Sequence, residues 1–184
     1  DKKVLQRIVD SIECSKDDCI IEIGPGHGAL TKHLVKYNCP VIAFEIDKEV
    51  KPVLDKINAD NLRVIYEDFM KVNVKEYLPD NYKNLYIIAN IPYYITTPIL
   101  EKIIAENLDE KSCTLMVQKE VADRFSAKCG SKEYGSVTVY LDYYYDIKKL
   151  FEVPRKAFYP VPNVDSAIIK LVRKEDKPKL DEDK

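Results

Sequence analysis

The sequence predicts an α/β domain with a mostly parallel sheet, doubly wound so that helices cover both faces. Three observations carry this. Short β-branched runs alternate with helical patterns along most of the chain. The first run enters the glycine-rich turn Gly24-Pro25-Gly26-His27-Gly28 directly ahead of a helical pattern. Four successive runs end in groups able to hold a ligand, namely Gly24, Glu45, Asp68 and Asn90. Right-handed crossovers would bring those ends to one edge of the sheet.

Taken in order, Val4, Leu5, Ile8, Val9 and Ile12 share one face of an opening helix. Strands are predicted over residues 19–23, 41–45, 62–66, 85–89 and 113–118, where β-branched and other apolar residues run together. Helices are predicted near 29–36, 48–57, 98–106 and 120–128. Residues 136–150 mix β-branched and Tyr residues with helix-compatible spacing and allow either state, whereas 168–172 reads as a final strand. The segment 174–184 is charged and nearly devoid of apolar residues, so it is expected to be a linker or tail after a domain spanning 1–173.

A chain of 184 residues with 46% apolar content suits one globular domain with a full core. Its formal net charge of -2 excludes a strongly basic nucleic-acid binder, so any RNA contact must come from local patches. The cysteines, Cys14, Cys19, Cys39, Cys113 and Cys129, are odd in number and form no C-x-x-C pair. They read as reduced, buried thiols of a cytoplasmic protein rather than as a metal site. Neither a signal peptide nor a membrane-length apolar run is present.

The glycine turn lets backbone approach a ligand while amides at a helix terminus point at it. Gly24 and Gly26 are its candidate contacts. At the second strand end, Glu45 can accept hydrogen bonds from both ribose hydroxyls of an adenosine, with Ile46 and Asp47 beside it. Nicotinamide and S-adenosylmethionine sites fit this equally. At the third, Asp68 can receive an adenine amino group, with Phe69 packed alongside. A helix cap or solvated loop position is the plainer alternative for each acid. His27 reads as a solvent-facing residue of the turn, and His33 is given no role.

Asn90-Ile91-Pro92-Tyr93, just after the fourth strand, has the makings of an amino-methylating site. An exocyclic amine is a poor nucleophile because its lone pair is delocalised into the ring. The Asn90 amide oxygen can accept one amine hydrogen and the Ile91 carbonyl another, Pro92 stiffens the turn, and Tyr93 offers a stacking face. Asn-x-Pro-Tyr is also an ordinary strand-to-turn sequence. The tyrosines of residues 140–145 fit a packed strand or helix edge better than a stacking platform.

Ile21 through Thr31, Glu45-Ile46-Asp47, Asn90 through Pro98, Gln118 through Arg124 and Ala157 through Ser166 resemble, in order, the KsgA-type ribosomal RNA small-subunit adenine dimethyltransferases. The resemblance implies a Rossmann-like class I methyltransferase fold, S-adenosyl-L-methionine as methyl donor, and two adjacent adenosines near the 3′ end of small-subunit (16S) rRNA as targets, free or within a pre-ribosomal 30S particle. It implies cofactor contacts at Gly24, Gly26, Glu45, Ile46, Asp68, Phe69 and Asn90. The target amine and base are expected at Asn90, Ile91, Pro92 and Tyr93, with Phe158 enclosing the flipped base. Lys119, Arg124, Lys128, Lys132, Arg155 and Lys156 are the expected RNA contacts. A monomer is expected, with no metal and no membrane association.

Two departures from the family pattern stand out. A Gln-Asn-Phe-Leu segment that precedes the opening helix in the family is absent, and the family's C-terminal helical domain is absent too, so a trimmed catalytic domain is expected. Three rival readings remain. One is a macrolide-resistance methyltransferase of large-subunit (23S) rRNA, against which Gln118 through Arg124 and Glu133-Tyr134-Gly135 count. Another is a non-catalytic binder of the mitochondrial transcription factor type. The third is a nicotinamide-dependent reductase.

Overall fold

The structure, a computed structural model, describes residues 1–90, 93–127 and 135–175, with only the backbone of Tyr93. The chain divides into two compact units, Asp1–Asn90 and Ile91–Lys184.

The first unit opens with helix α1 (Lys2–Asp10), capped by the Asp1 carboxylate accepting the Lys3 N–H at 2.8 Å. Of its predicted face, Ile8, Val9 and Ile12 are buried and Val4 and Leu5 half-buried. Strands β1 (Cys19–Ile23), β2 (Val41–Phe44), β3 (Leu62–Ile65) and β4 (Leu85–Asn90) follow. They lie in the order β3-β2-β1-β4 and all pair in parallel. β1 has a neighbour on each side and every one of its residues is buried, which is why its sequence is apolar throughout except at Glu22 rather than alternating. β3 alternates in exposure, as the edge of this four-stranded group should.

The chain runs from β1 out to β3 and then returns to the other side of β1 as β4, so β1 and β4 flank a topological switch point. The ladder continues one residue past each strand: Gly24 N–H donates to Phe44 O at 2.9 Å and Glu45 N–H to Ile65 O at 2.9 Å. Backbone pairing thus fixes the height of the ligand-type residues at the carboxyl edge.

The helices between these strands are shorter than the sequence pattern suggests. Where 29–36 reads as one helix, α2 (Thr31–Leu34) passes into a 3-10 turn at Val35–Tyr37 that ends on Asn38 at φ 60°. Where 48–57 reads as another, a 3-10 turn at Lys48–Val50 precedes α3 (Lys51–Leu54). Pro52, which has no N–H to donate, falls in the first turn of α3, where a helix tolerates it.

The second unit contains α4 (Thr96–Ala105), β5 (Ser112–Gln118), α5 (Lys119–Phe125), α6 (Ser136–Tyr144), β6 (Tyr145–Val153) and β7 (Ser166–Arg173). Its strands lie in the order β5-β7-β6, antiparallel throughout. The connection from Pro154 to Asp165 holds one short 3-10 turn and no crossover helix, so β7 can only fold back beside β6.

The ambiguous stretch resolves into helix to Tyr144 and strand from Tyr145. Tyr145 is fully buried and its hydroxyl donates to Glu110 Oε1 at 2.5 Å, while Arg173 reaches Glu110 Oε2 at 3.2 Å. Tyr144 sits edge-on to Tyr140 and Tyr143, at 5.5 and 4.9 Å between ring centres, so this cluster is a packed edge. Beyond β7, Lys174 still bonds the unit, its N–H donating to Tyr144 O at 2.9 Å; of the expected tail, residues 176–184 lie outside the described residues.

Among the described residues no helix is long and apolar enough to cross a membrane, and no group of three or more His, Cys, Asp or Glu side chains is placed to hold a metal ion.

Candidate active site

The glycine turn is shaped from both sides. Gly28, at φ +84°, is held down by packing: a Cβ there would meet Ile57 Cδ1 at 2.7 Å and Leu54 Cδ2 at 3.1 Å. A Cβ on Gly26, at φ +56°, would have nothing within 4 Å, so open space lies over the part of the turn that a ligand would approach. His27 is exposed, as expected.

Under the turn lies a pairing that sequence reasoning missed. Glu22, in the middle of β1, is only 2% exposed, and its carboxylate takes the Thr31 hydroxyl at the start of α2, with Oε2 at 3.0 Å. The pair straps the strand before the turn to the helix after it. Burial pushes the Glu22 carboxyl up to about 7; the Thr31 hydroxyl opposes this and the nearby Glu45 charge adds to it. The available signal was an acid inside the apolar run Ile20-Ile21-Glu22-Ile23.

Glu45 is 6% exposed, and its Oε1 accepts the Gly26 N–H at 2.8 Å while Oε2 accepts the Asp47 N–H at 3.1 Å. The second strand end is therefore locked onto the glycine turn. Ile46 beside it is 67% exposed, an apolar surface available to a flat ligand. Asp47 faces solvent and caps the following turn, accepting Glu49 N–H at 2.9 Å.

Asp68 is half-buried and its Oδ1 accepts the Met70 N–H at 2.9 Å. It thus stabilises its own turn, and a carboxylate retains acceptor capacity beyond one such bond. Phe69 is 4% exposed and packs edge-on to Phe44 at 5.4 Å, so it belongs to the core beneath this edge. Asn90 ends β4 and is exposed, one residue past the pairing of Ala89 with Ile23. Ile91 and Pro92 lie outside the described residues, as does the side chain of Tyr93, whose backbone begins a 3-10 turn at Tyr93–Ile95.

In the second unit, Phe158 is half-buried and follows a 3-10 turn at Arg155–Ala157. Lys119, Arg124, Arg155 and Lys156 are all exposed, while Lys128 and Lys132 lie outside the described residues. A cleft of about 320 Å³ is lined by Lys119 and Arg155 together with Glu120, Asp123, Asn163 and Asp165. It brings two of the expected cations together but mixes them with three acids. Asp165 is partly occupied by backbone, accepting Arg155 N–H at 2.7 Å.

All of residues 1–184 match the family described as ribosomal RNA adenine dimethylase. The chain belongs to that family. It is 45% identical over 182 residues to a Listeria innocua protein named ribosomal RNA small subunit methyltransferase A, covering 96% of this chain and 62% of the relative. A Bacillus mycoides protein of the same name is 46% identical over 95% of this chain and 61% of its own length. This member of the dimethylase family thus spans less than two thirds of these relatives. Among solved structures, a Plasmodium falciparum dimethyladenosine transferase superposes with a TM-score of 0.81 at 32% identity, covering 95% of this chain and 62% of that one. The 23S rRNA methyltransferase ErmE also superposes at 0.81, with 29% identity over 98% of this chain and 71% of that one. The fold of this dimethylase-family chain is the Rossmann-like class I methyltransferase fold, α/β as expected.

Proposed function

We propose that this chain is the cofactor-binding and catalytic portion of an S-adenosylmethionine-dependent enzyme that dimethylates N6 of two adjacent adenosines near the 3′ end of small-subunit rRNA during ribosome biogenesis. The observation that carries the reading is the Glu45–Gly26 lock, set at the same strand edge as Asn90 of the Asn-Ile-Pro-Tyr sequence. The names of the relatives at 45% and 46% identity favour the small subunit over the large.

The residues present fit an adenosyl donor. Open space over Gly26 leaves room for a ligand, Glu45, already holding the Gly26 and Asp47 N–H groups, would take ribose hydroxyls, the exposed Ile46 would pack on adenine, and Asp68 would take the adenine amine. S-adenosylmethionine, when bound, supplies an electrophilic methyl group on a sulfonium. The chain's own part is to orient the acceptor. The Asn90 amide oxygen accepts one N6 hydrogen and the Ile91 carbonyl the other, which turns the nitrogen lone pair out of conjugation with the ring. Positioning of this kind supplies most of the rate. No base is needed, since the proton departs to water once nitrogen has become cationic. After a first methylation a single N–H remains, and one acceptor suffices to hold it.

Tyr93 and Phe158 stack on an adenosine swung out of its helix, at about 1–3 kcal/mol per stacked base. Lys119, Arg124, Arg155 and Lys156, with Lys128 and Lys132, meet the phosphates. The partner is small-subunit rRNA or a pre-ribosomal 30S particle, and the protein works as a monomer in the cytoplasm.

The test is methyl incorporation from labelled S-adenosylmethionine into unmethylated small and large subunits, using this chain beside a form extended to the length of its relatives. Label at the paired adenosines of the small subunit alone supports the proposal. Label only in the large subunit, or none from the extended form, refutes it.

A further inference from the structure

We propose that Cys14 and Cys39 form a dithiol site that a small-molecule disulfide oxidises to an intramolecular disulfide. The two Sγ atoms are 3.4 Å apart, close enough to share a hydrogen bond. Reaching a bonded separation of about 2.05 Å requires an approach of only roughly 1.3 Å. Cys14 lies between α1 and β1 and is half-buried, whereas Cys39 lies just before β2 and is buried. Both sit where the parallel strands begin, at the rim opposite the glycine turn and Glu45.

The backbones that present the two thiols are tied down independently of them. The Tyr37 hydroxyl donates to Val9 O at 2.5 Å and to Ile12 O at 3.0 Å, and the Tyr86 hydroxyl donates to Glu13 O at 3.0 Å. Asn61 Nδ2 holds Cys39 O at 2.8 Å, while Asp18 accepts from Ser15 N–H at 2.7 Å and Asn84 N–H at 3.0 Å. Rigid anchorage on both sides makes the sulfur contact a built feature of this rim.

The pair is electronically unequal. Contact with Cys14 lowers the Cys39 thiol, while the same contact, joined by burial, raises Cys14.

In the first step the Cys39 thiolate takes the Cys14 proton as Cys14, the less buried of the two, attacks one sulfur of R–S–S–R, whose S–S bond breaks to release R–S⁻. In the second, Cys39 passes that proton to the released R–S⁻, and its thiolate attacks the Cys14 sulfur of the mixed disulfide and expels the second R–S⁻. Two protein thiols lose two protons and two electrons, and the reagent is reduced to two R–SH. The product staples the α1–β1 connection to the entry of β2 without touching the carboxyl edge.

The chain is incubated with excess oxidised glutathione, unfolded, alkylated and analysed by mass spectrometry, and S-adenosylhomocysteine affinity is measured on both forms. The expected result is a monomer lacking two alkylations, a digest peptide joining Cys14 to Cys39, reversal by dithiothreitol, and cofactor affinity within twofold of the reduced protein. The exposed-side variant Cys14→Ser should give no internal link and no lasting adduct on Cys39. Alkylation of every cysteine after oxidation, a glutathione adduct that persists on Cys14 of the unmutated chain, or a link between any other pair overturns the proposal. The unmutated chain alone decides the matter if Cys14→Ser fails to fold.

Discussion

Glu45 Oε1 accepts the backbone N–H of Gly26 at 2.8 Å, so the acid at the end of β2 and the turn at the end of β1 are one structural unit. A ligand held by either would feel the loss of the other. Glu45→Ala should weaken S-adenosylhomocysteine binding about 10- to 100-fold, the range expected when hydrogen bonds to a charged group, about 1.5–3 kcal/mol, are removed. Isothermal calorimetry measures this directly, and an affinity within threefold of the parent would remove Glu45 from the site.

Gly28→Ala tests the packing below the turn. Its Cβ would lie 2.7 Å from Ile57 Cδ1 at a positive φ. Left-handed backbone should cost about 1–2 kcal/mol, and overpacking should add about 1 kcal/mol, because the Ile57 and Leu54 side-chain ends can shift. Urea unfolding at unchanged m-value reads the effect, whereas Gly26→Ala, facing open space, should show only the backbone part.

Glu22 makes stability depend on pH. Its folded carboxyl is raised from 4.5 to about 7, so the folded state binds more protons than the unfolded state between those values. The contribution is fully present below pH 4.5 and is lost as pH rises through about 7. Glu22→Gln escapes this loss and keeps an acceptor for Thr31. Its stability relative to the parent should climb across that window and level off above it, by at most about 3 kcal/mol. Melting curves taken from pH 4 to 8 that run parallel for the two proteins would contradict the assignment.

Asn90→Ala should lower the single-turnover methylation rate about 10²- to 10³-fold, as removal of a preorganised polar group does elsewhere. Asn90→Asp is the companion variant, since it keeps an acceptor oxygen. Turnover of the alanine variant near the parent value would dismiss the amine-orienting role.

For the second unit, Lys119→Glu combined with Arg124→Glu should weaken rRNA binding and flatten its salt dependence, the slope falling by about one for each phosphate that is no longer neutralised. Filter binding across a salt series tests this. Because Glu120 and Asp123 already share the cleft with Lys119, an unchanged slope would move the RNA path away from α5.

Much of this arrangement was legible in the residues. β1 is predicted to its ends, and the strands at 41–45, 62–66 and 85–89 fall within one residue of those observed, because short runs rich in β-branched and apolar residues mark strands wherever they are half or fully buried. Less was legible where distant groups decide the outcome. The pattern over 48–57 does not separate the 3-10 turn from the α-helix that follows it, and the spacing of residues 136–150 could not reveal that Glu110 and Arg173 would seize Tyr145 and begin a strand there.

By itself, then, the sequence determined the parallel order of elements and the set of strand-end groups, Gly24, Glu45, Asp68 and Asn90, since both follow from local periodicity and chain continuity. Tertiary structure alone decided that Phe69 faces the core, that Glu22 is strapped to Thr31 beneath the turn, that β6 and β7 run antiparallel, and that Cys14 meets Cys39. The first two and the last depend on which side chains come together, and residues far apart along the chain compete for that space only once the backbone has brought them together, whereas the β6–β7 pairing follows from a short connection that carries no crossover helix.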